Sequence, residues 1–79
     1  MGNLEKYRDI FTQLFHVNPK NLDSEFSFKN IDEWNSITHM ALISELEDTF
    51  GIMFETDEIL HFASYTNGIR LLKEKGVEF

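Results

Sequence analysis

Near the start of the chain, Leu4, Tyr7, Ile10, Phe11, Leu14 and Phe15 recur at three- and four-residue intervals. That spacing places them on one stripe of an amphipathic helix. Asn18-Pro19 follows, and a residue before proline disfavours helical geometry. The pattern predicts a first helix at about residues 3–16. Residues 17–35 hold no sustained period. Pro19, Asn21, Asp23, Ser24, Ser27 and Asn30 are turn formers, with Leu22, Phe26, Phe28 and Ile31 scattered among them. A loop this long in a small domain is uncommon and often functional. Its apolar residues predict that it packs down on the helices.

The second strong helical pattern runs from Ser36 to Phe50. Ile43, Leu46 and Phe50 form one line with Leu42 beside it, and Glu45, Glu47 and Asp48 fall largely outside that line. Gly51 stands where a C-terminal cap is expected. After the apolar link Ile52-Met53-Phe54, Thr56 is expected to cap a short third helix. Asp57 and Glu58 in its first turn suit the helix dipole, and Ile59, Leu60 and Phe62 are its apolar members. Ser64 or Thr66 starts the last helix; Ile69 and Leu72, with Leu71 beside them, face inward. Lys73 and Lys75 sit near its end, and Gly76 stops it. No alternating pattern predicts a strand.

The expectation is an all-α single domain, residues 1–79, with three main helices, one short helix and a long structured loop between the first two. The expected core is Ile10, Leu14, Phe28, Leu42, Leu46, Phe50, Phe54, Ile59, Phe62, Ile69 and Leu72.

Composition narrows the function. With 79 residues, a chain buries only about 60% of the surface it exposes when unfolded. A deep catalytic cleft is hard to build at that size, and a surface site is easier. Cysteine is absent, which excludes disulfides and thiolate metal sites. His16, His39 and His61 show no ligand spacing, so no metal site is expected. The formal net charge of −7 disfavours nucleic acid, whose phosphates need Lys and Arg. It equally disfavours an anionic membrane, and a basic patch on a partner protein is its complement. No apolar run nears the roughly 20 residues of a membrane span. The N-terminus is too polar for a signal peptide, and Lys6 stands where a myristoylation motif needs Ser or Thr. A cytoplasmic monomer is expected.

Candidate chemistry concentrates in Asp32-Glu33-Trp34-Asn35-Ser36-Ile37-Thr38-His39-Met40. Ser36 stands where a polar loop becomes an amphipathic helix. Unpaired amides and the macrodipole favour an anion there. Taken alone, Ser36 reads as a helix N-cap.

The wider run changes that reading. Trp34-Asn35-Ser36-Ile37-x-His39, then Leu42-x-x-x-Leu46-Glu47-x-x-Phe50-Gly51-Ile52, resembles the attachment segment of acyl and peptidyl carrier proteins. That family places a D-S-L or D-S-M triplet at the start of its second helix and ends it in a phenylalanine-glycine-isoleucine turn. The resemblance extends over nearly the whole chain in element order and length. One departure is Asn35, where the family usually carries aspartate, thought to help place the metal ion of the modifying transferase. Ile37 is a mild apolar change.

The resemblance implies a small four-helix carrier-protein bundle. It also implies a 4'-phosphopantetheine arm, taken from coenzyme A by a phosphopantetheinyl transferase and borne on Ser36, with Asn35, Ile37 and His39 around it. Acyl or aminoacyl groups would ride on the arm as thioesters, loaded and used by partner ligases, synthases or transferases. Asp32, Glu33, Trp34, Met40, Glu45, Glu47 and Asp48 are the expected partner surface, with Trp34 also a candidate loop anchor. Thr38 and Ala41 are uncharged where many fatty-acid carriers are acidic, which points away from fatty acid synthase. Heavy use of Phe in the core favours small or aminoacyl cargo.

The chief alternative is an unmodified acidic helical adaptor for a basic partner. A calcium-binding helix pair lacks its loop, since Asp23, Glu25 and Asp32 are badly spaced. A hydrolase built on Ser36 and His39 lacks an orienting acid and an oxyanion hole.

Overall fold

A computed structural model describes residues 2–79. Helix α1 spans Asn3–Phe15, α2 Ser36–Phe50, α3 Thr56–His61 and α4 Tyr65–Glu74, with a single 3-10 turn at Pro19–Asn21. Among the described residues there are four α-helices and no strand. The Cα radius of gyration is 11.4 Å, against about 11.6 Å expected for a compact chain of this length. Among the described residues, no helix is long and apolar enough to cross a membrane.

In α1, Tyr7, Phe11 and Phe15 recur every four residues and are buried. They bring one aromatic stripe against α2, the helix that α1 chiefly packs on. Leu4, expected on the same stripe, is exposed. The helix stops one residue earlier than the pattern predicts. His16 takes the left-handed conformation, with φ 54°. Asn18 then starts the 3-10 turn, its side chain accepting from the Lys20 amide at 3.0 Å.

Residues 16–35 fold onto the helices, as their apolar content predicts. Phe26 and Trp34 are buried. The stretch around Ser27 pairs antiparallel with the residues before α4: Phe28 N–H donates to the Ala63 carbonyl and Tyr65 N–H to the Phe26 carbonyl, both at 2.9 Å. This isolated bridge has no periodicity to announce it. It pins the loop to the α3–α4 connection.

The core is more aromatic, and differently composed, than expected. Phe11 lies at its centre, with ring centroids 4.9 Å from Tyr7, 5.0 Å from Tyr65 and 5.6 Å from Trp34. Tyr7, Phe15, Phe26, Ile43 and Leu71 join the core, whereas Ile10, Leu14, Phe50, Ile59 and Ile69 are only partly buried. Phe28, placed in the core by the sequence pattern, is 44% exposed. Its backbone is taken by the bridge, which turns the side chain outward.

The caps explain where the later helices begin. The third helix is capped by Glu55, not Thr56: Glu55 and Glu58 form a reciprocal capping box, and Thr56 is the first helical residue. Leu60 points to solvent, and Phe62 lies beyond the helix and fills the core instead. Ser64 caps α4 by accepting from Asn67 N–H at 3.1 Å. Gly51, at φ 64°, ends α2 in the left-handed conformation that costs a glycine least. The Glu47 side chain then accepts from Phe54 N–H at 2.9 Å, which fixes the link into α3.

Candidate functional site

Ser36 is the first residue of α2 and is exposed. It is not the N-cap that it resembles in isolation. Asn35 holds that position, in extended geometry, and its Oδ1 accepts from Ile37 N–H at 2.9 Å and Thr38 N–H at 3.1 Å. Thr38 Oγ1 accepts in return from Asn35 N–H at 2.8 Å and donates to the Glu33 carbonyl at 2.7 Å. The box therefore consumes three amides expected to be open to an anion, those of Asn35, Ile37 and Thr38. The helix dipole still favours negative charge on Ser36. The amides that would grip such a charge are mostly spent.

His39 lies one turn on, half-buried, with both ring nitrogens engaged. Trp34 Nε1–H donates to Nδ1 at 2.9 Å. The indole nitrogen is donor only, so Nδ1 must be the bare nitrogen. Nε2 then carries the proton and donates to the Ile59 carbonyl at 2.8 Å. His39 thus ties the end of the loop to α3. With both nitrogens occupied, the ring has none to offer a phosphate, which corrects its expected place among the cofactor contacts. Of the two roles expected for Trp34, the structure shows the anchoring one: at 1% exposure it packs the loop against Phe11 and Phe15 and presents almost no surface to a partner.

Ser36 stands on the rim of a crevice of about 390 Å³. One wall is Phe28, Ser36, His39 and Met40; the other is Ile59, Leu60, Phe62 and Ala63. Beyond Ser36 and the His39 ring the lining is apolar. Ile37 at 82%, Leu60 at 72% and Met40 at 53% exposure leave large apolar side chains in the open beside it. The sequence pattern missed this wall. Its signal was Leu60, a large apolar residue on a six-residue helix that has little core to fill.

The predicted acidic surface is divided. At about 100° per residue, Glu45 lies roughly opposite Ser36 on α2, where it borders a groove with Ile10, Gln13 and Leu14 of α1. Asp48 is exposed on a flank. Glu47 is half-buried and committed to the Phe54 amide. Asp32 and Glu33 are exposed just ahead of the serine. Around Ser36 itself the surface is mainly apolar.

Among the described residues, no three His, Cys, Asp or Glu side chains converge as a metal would require. Compared with protein-family models, curated proteins and solved structures, the chain has no significant match.

Proposed function

We propose that this protein is a carrier: Ser36 accepts a 4'-phosphopantetheine arm and presents thioester-bound acyl or aminoacyl groups to partner enzymes. One observation carries the reading. An exposed serine opens a 15-residue helix at the lip of an apolar crevice, with its neighbour Asn35 doing the capping. A serine relieved of capping and placed there is suited to modification by a second protein.

In the loading step, Ser36 Oγ attacks the β-phosphorus of coenzyme A. A phosphodiester would form as the bond to 3',5'-adenosine diphosphate breaks, and a base of the transferase would take the serine proton. The arm supplies a thiol on which cargo is held. This chain's own residues position and shield. Asn35 fixes the helix start, Ile37 and Met40 offer apolar contact beside the serine, and the crevice wall offers apolar shelter. Tethering raises the effective concentration of cargo at each partner's active site. The aromatic filling of the core leaves the surface crevice as the shelter, in keeping with small or aminoacyl cargo.

The exposed Ile37, Met40 and Leu60 also suit an unmodified adaptor that binds its partner through this face. Intact mass separates the two readings. After incubation with coenzyme A and a broad-specificity phosphopantetheinyl transferase, the carrier gains the mass of one arm, and Ser36→Ala abolishes the gain. No gain with several transferases assigns the adaptor.

A further inference from the structure

Helix α3 buries none of its six residues completely. An element with so little apolar anchorage depends on its polar tethers and is among the first to open locally. Three side-chain tethers hold it. Glu58 pairs with Lys75 at 2.7 Å, the Asn67 side chain donates to the His61 carbonyl, and His39 Nε2–H donates to the Ile59 carbonyl. The first two come from α4 and its end. The His39 bond joins α3 to α2 across the crevice.

That bond depends on a tautomer, and the tautomer depends on Trp34. An imidazolium donates at both nitrogens and accepts at neither. Once protonated, His39 would point Nδ1–H at the indole N–H, donor against donor. Trp34 is locked among Phe11, Phe15 and Phe26, with centroids 5.4 to 5.9 Å away. His39 is half-buried at the crevice, so the imidazole is the group that moves, and Nε2–H leaves Ile59 as it does.

We propose that His39 is an acid-sensitive latch: its neutral ring clamps α3 to α2, and its protonation frees α3 and widens the crevice beside Ser36. The groups facing the ring are Phe28 and Trp34 from the loop, Ile59 from α3 and Phe62 after it, and none is charged. No carboxylate lies within ion-pair distance of it among the described residues. Of the titratable groups on these elements, Lys29, Asp32, Glu33, Asp57 and His61 are exposed. Glu58 is paired with Lys75, and on α2 Glu47 is bonded to Phe54 N–H while Glu45 and Asp48 lie on other faces. Nothing near the ring offsets its charge. The inference goes beyond the carrier reading and stands whether or not Ser36 is modified.

The test is a pH titration by NMR of the wild type and of His39→Gln. It follows the His39 ring nitrogens, the indole N–H of Trp34, the only tryptophan, and amide protection along the chain. Glutamine offers a carbonyl to the indole and an amide N–H to Ile59, and it does not titrate. As His39 gains its proton, protection in α3 is expected to fall about tenfold or more, while α1 and α4 stay protected. His39→Gln is expected to show no such step. Three results would overturn the proposal: His39 remaining neutral until the whole chain unfolds, α3 protection unchanged when His39 is protonated, or the same α3 opening in His39→Gln. A Glu58→Gln variant run alongside assigns any residual opening to the Lys75 pair, whose carboxyl titrates below the usual range.

Discussion

Asn35 accepts from the Ile37 and Thr38 amides, whereas Ser36 sits one residue inside the helix. Truncation should therefore separate them. Asn35→Ala is expected to lower stability by about 1 kcal/mol. Ser36→Ala, at an exposed site without a cap, should stay within about 0.5 kcal/mol. Urea denaturation of both variants checks this, and equal losses would return the capping role to Ser36. Asn35→Asp keeps the cap and adds a charge that the helix start favours. On the carrier reading it also restores the aspartate that a modifying transferase uses to place its metal. Arm transfer, followed by intact mass, is expected to be faster in Asn35→Asp with stability unchanged or slightly raised. A rate equal to or below wild type would show that the charge is not needed here.

Among the elements, two contacts made by α4 and its end are measurable. The Glu58 carboxyl is held below its ordinary pKa, chiefly by the Glu55 N–H and then by the Lys75 ammonium. A folded-state pKa below the unfolded one means stability present above the unfolded value. That stability is lost as pH falls through the folded value. Glu58→Gln is expected to flatten the acid side of the stability curve and leave neutral pH less stable, as pH-dependent thermal melts would show. Gly68 makes the other contact. A Cβ added there would overlap the Phe62 ring and the Tyr7 hydroxyl. Gly68→Ala gains helix propensity of about 1 kcal/mol but overpacks the core, which typically costs about 1–3 kcal/mol. Net destabilisation in urea is the expected result, and a stabilised variant would mean that α4 shifts freely.

For the whole molecule, charge and apolar surface serve different steps. On the carrier reading, a net charge of −7 would steer encounter with a basic partner, an effect that weakens with salt. The face around Ser36 is apolar, and on the same reading docking there would depend on Ile37, Met40 and Leu60. Ile37→Asp and Leu60→Asp, both at open positions, are expected to slow loading of Ser36 at least tenfold with little change in melting temperature. Glu45→Lys, on the far side of α2, should change loading far less. Matched rates for the three variants would remove the apolar docking face. At the alkaline end, Tyr7 is buried and donates to the Tyr65 carbonyl at 2.6 Å. Burial raises its pKa well above the ordinary value, with Tyr65 adding to the shift. The unfolded chain thus gives up that proton first, and stability should decline as pH rises beyond about 10.

The sequence by itself determined the helices wherever local chemistry decides them. Ser36–Phe50 is bounded by a polar capping pair and a glycine that takes the left-handed turn, and its bounds were legible to the residue. The stripe of Tyr7, Phe11 and Phe15 was legible because helical spacing is a property of neighbours. Tertiary structure decided what depends on residues far apart. Ser27 and Ser64 come together through a bridge between distant segments, with Phe28 N–H bonded to the Ala63 carbonyl, so Phe28 leaves the core for the crevice. Trp34, close in sequence, fixes which nitrogen of His39 carries the proton, yet only the fold brings Ile59, twenty residues on, to receive it. The cap moved from Ser36 to Asn35 because both side chains can accept an amide. Only the backbone conformation of the turn chooses between them.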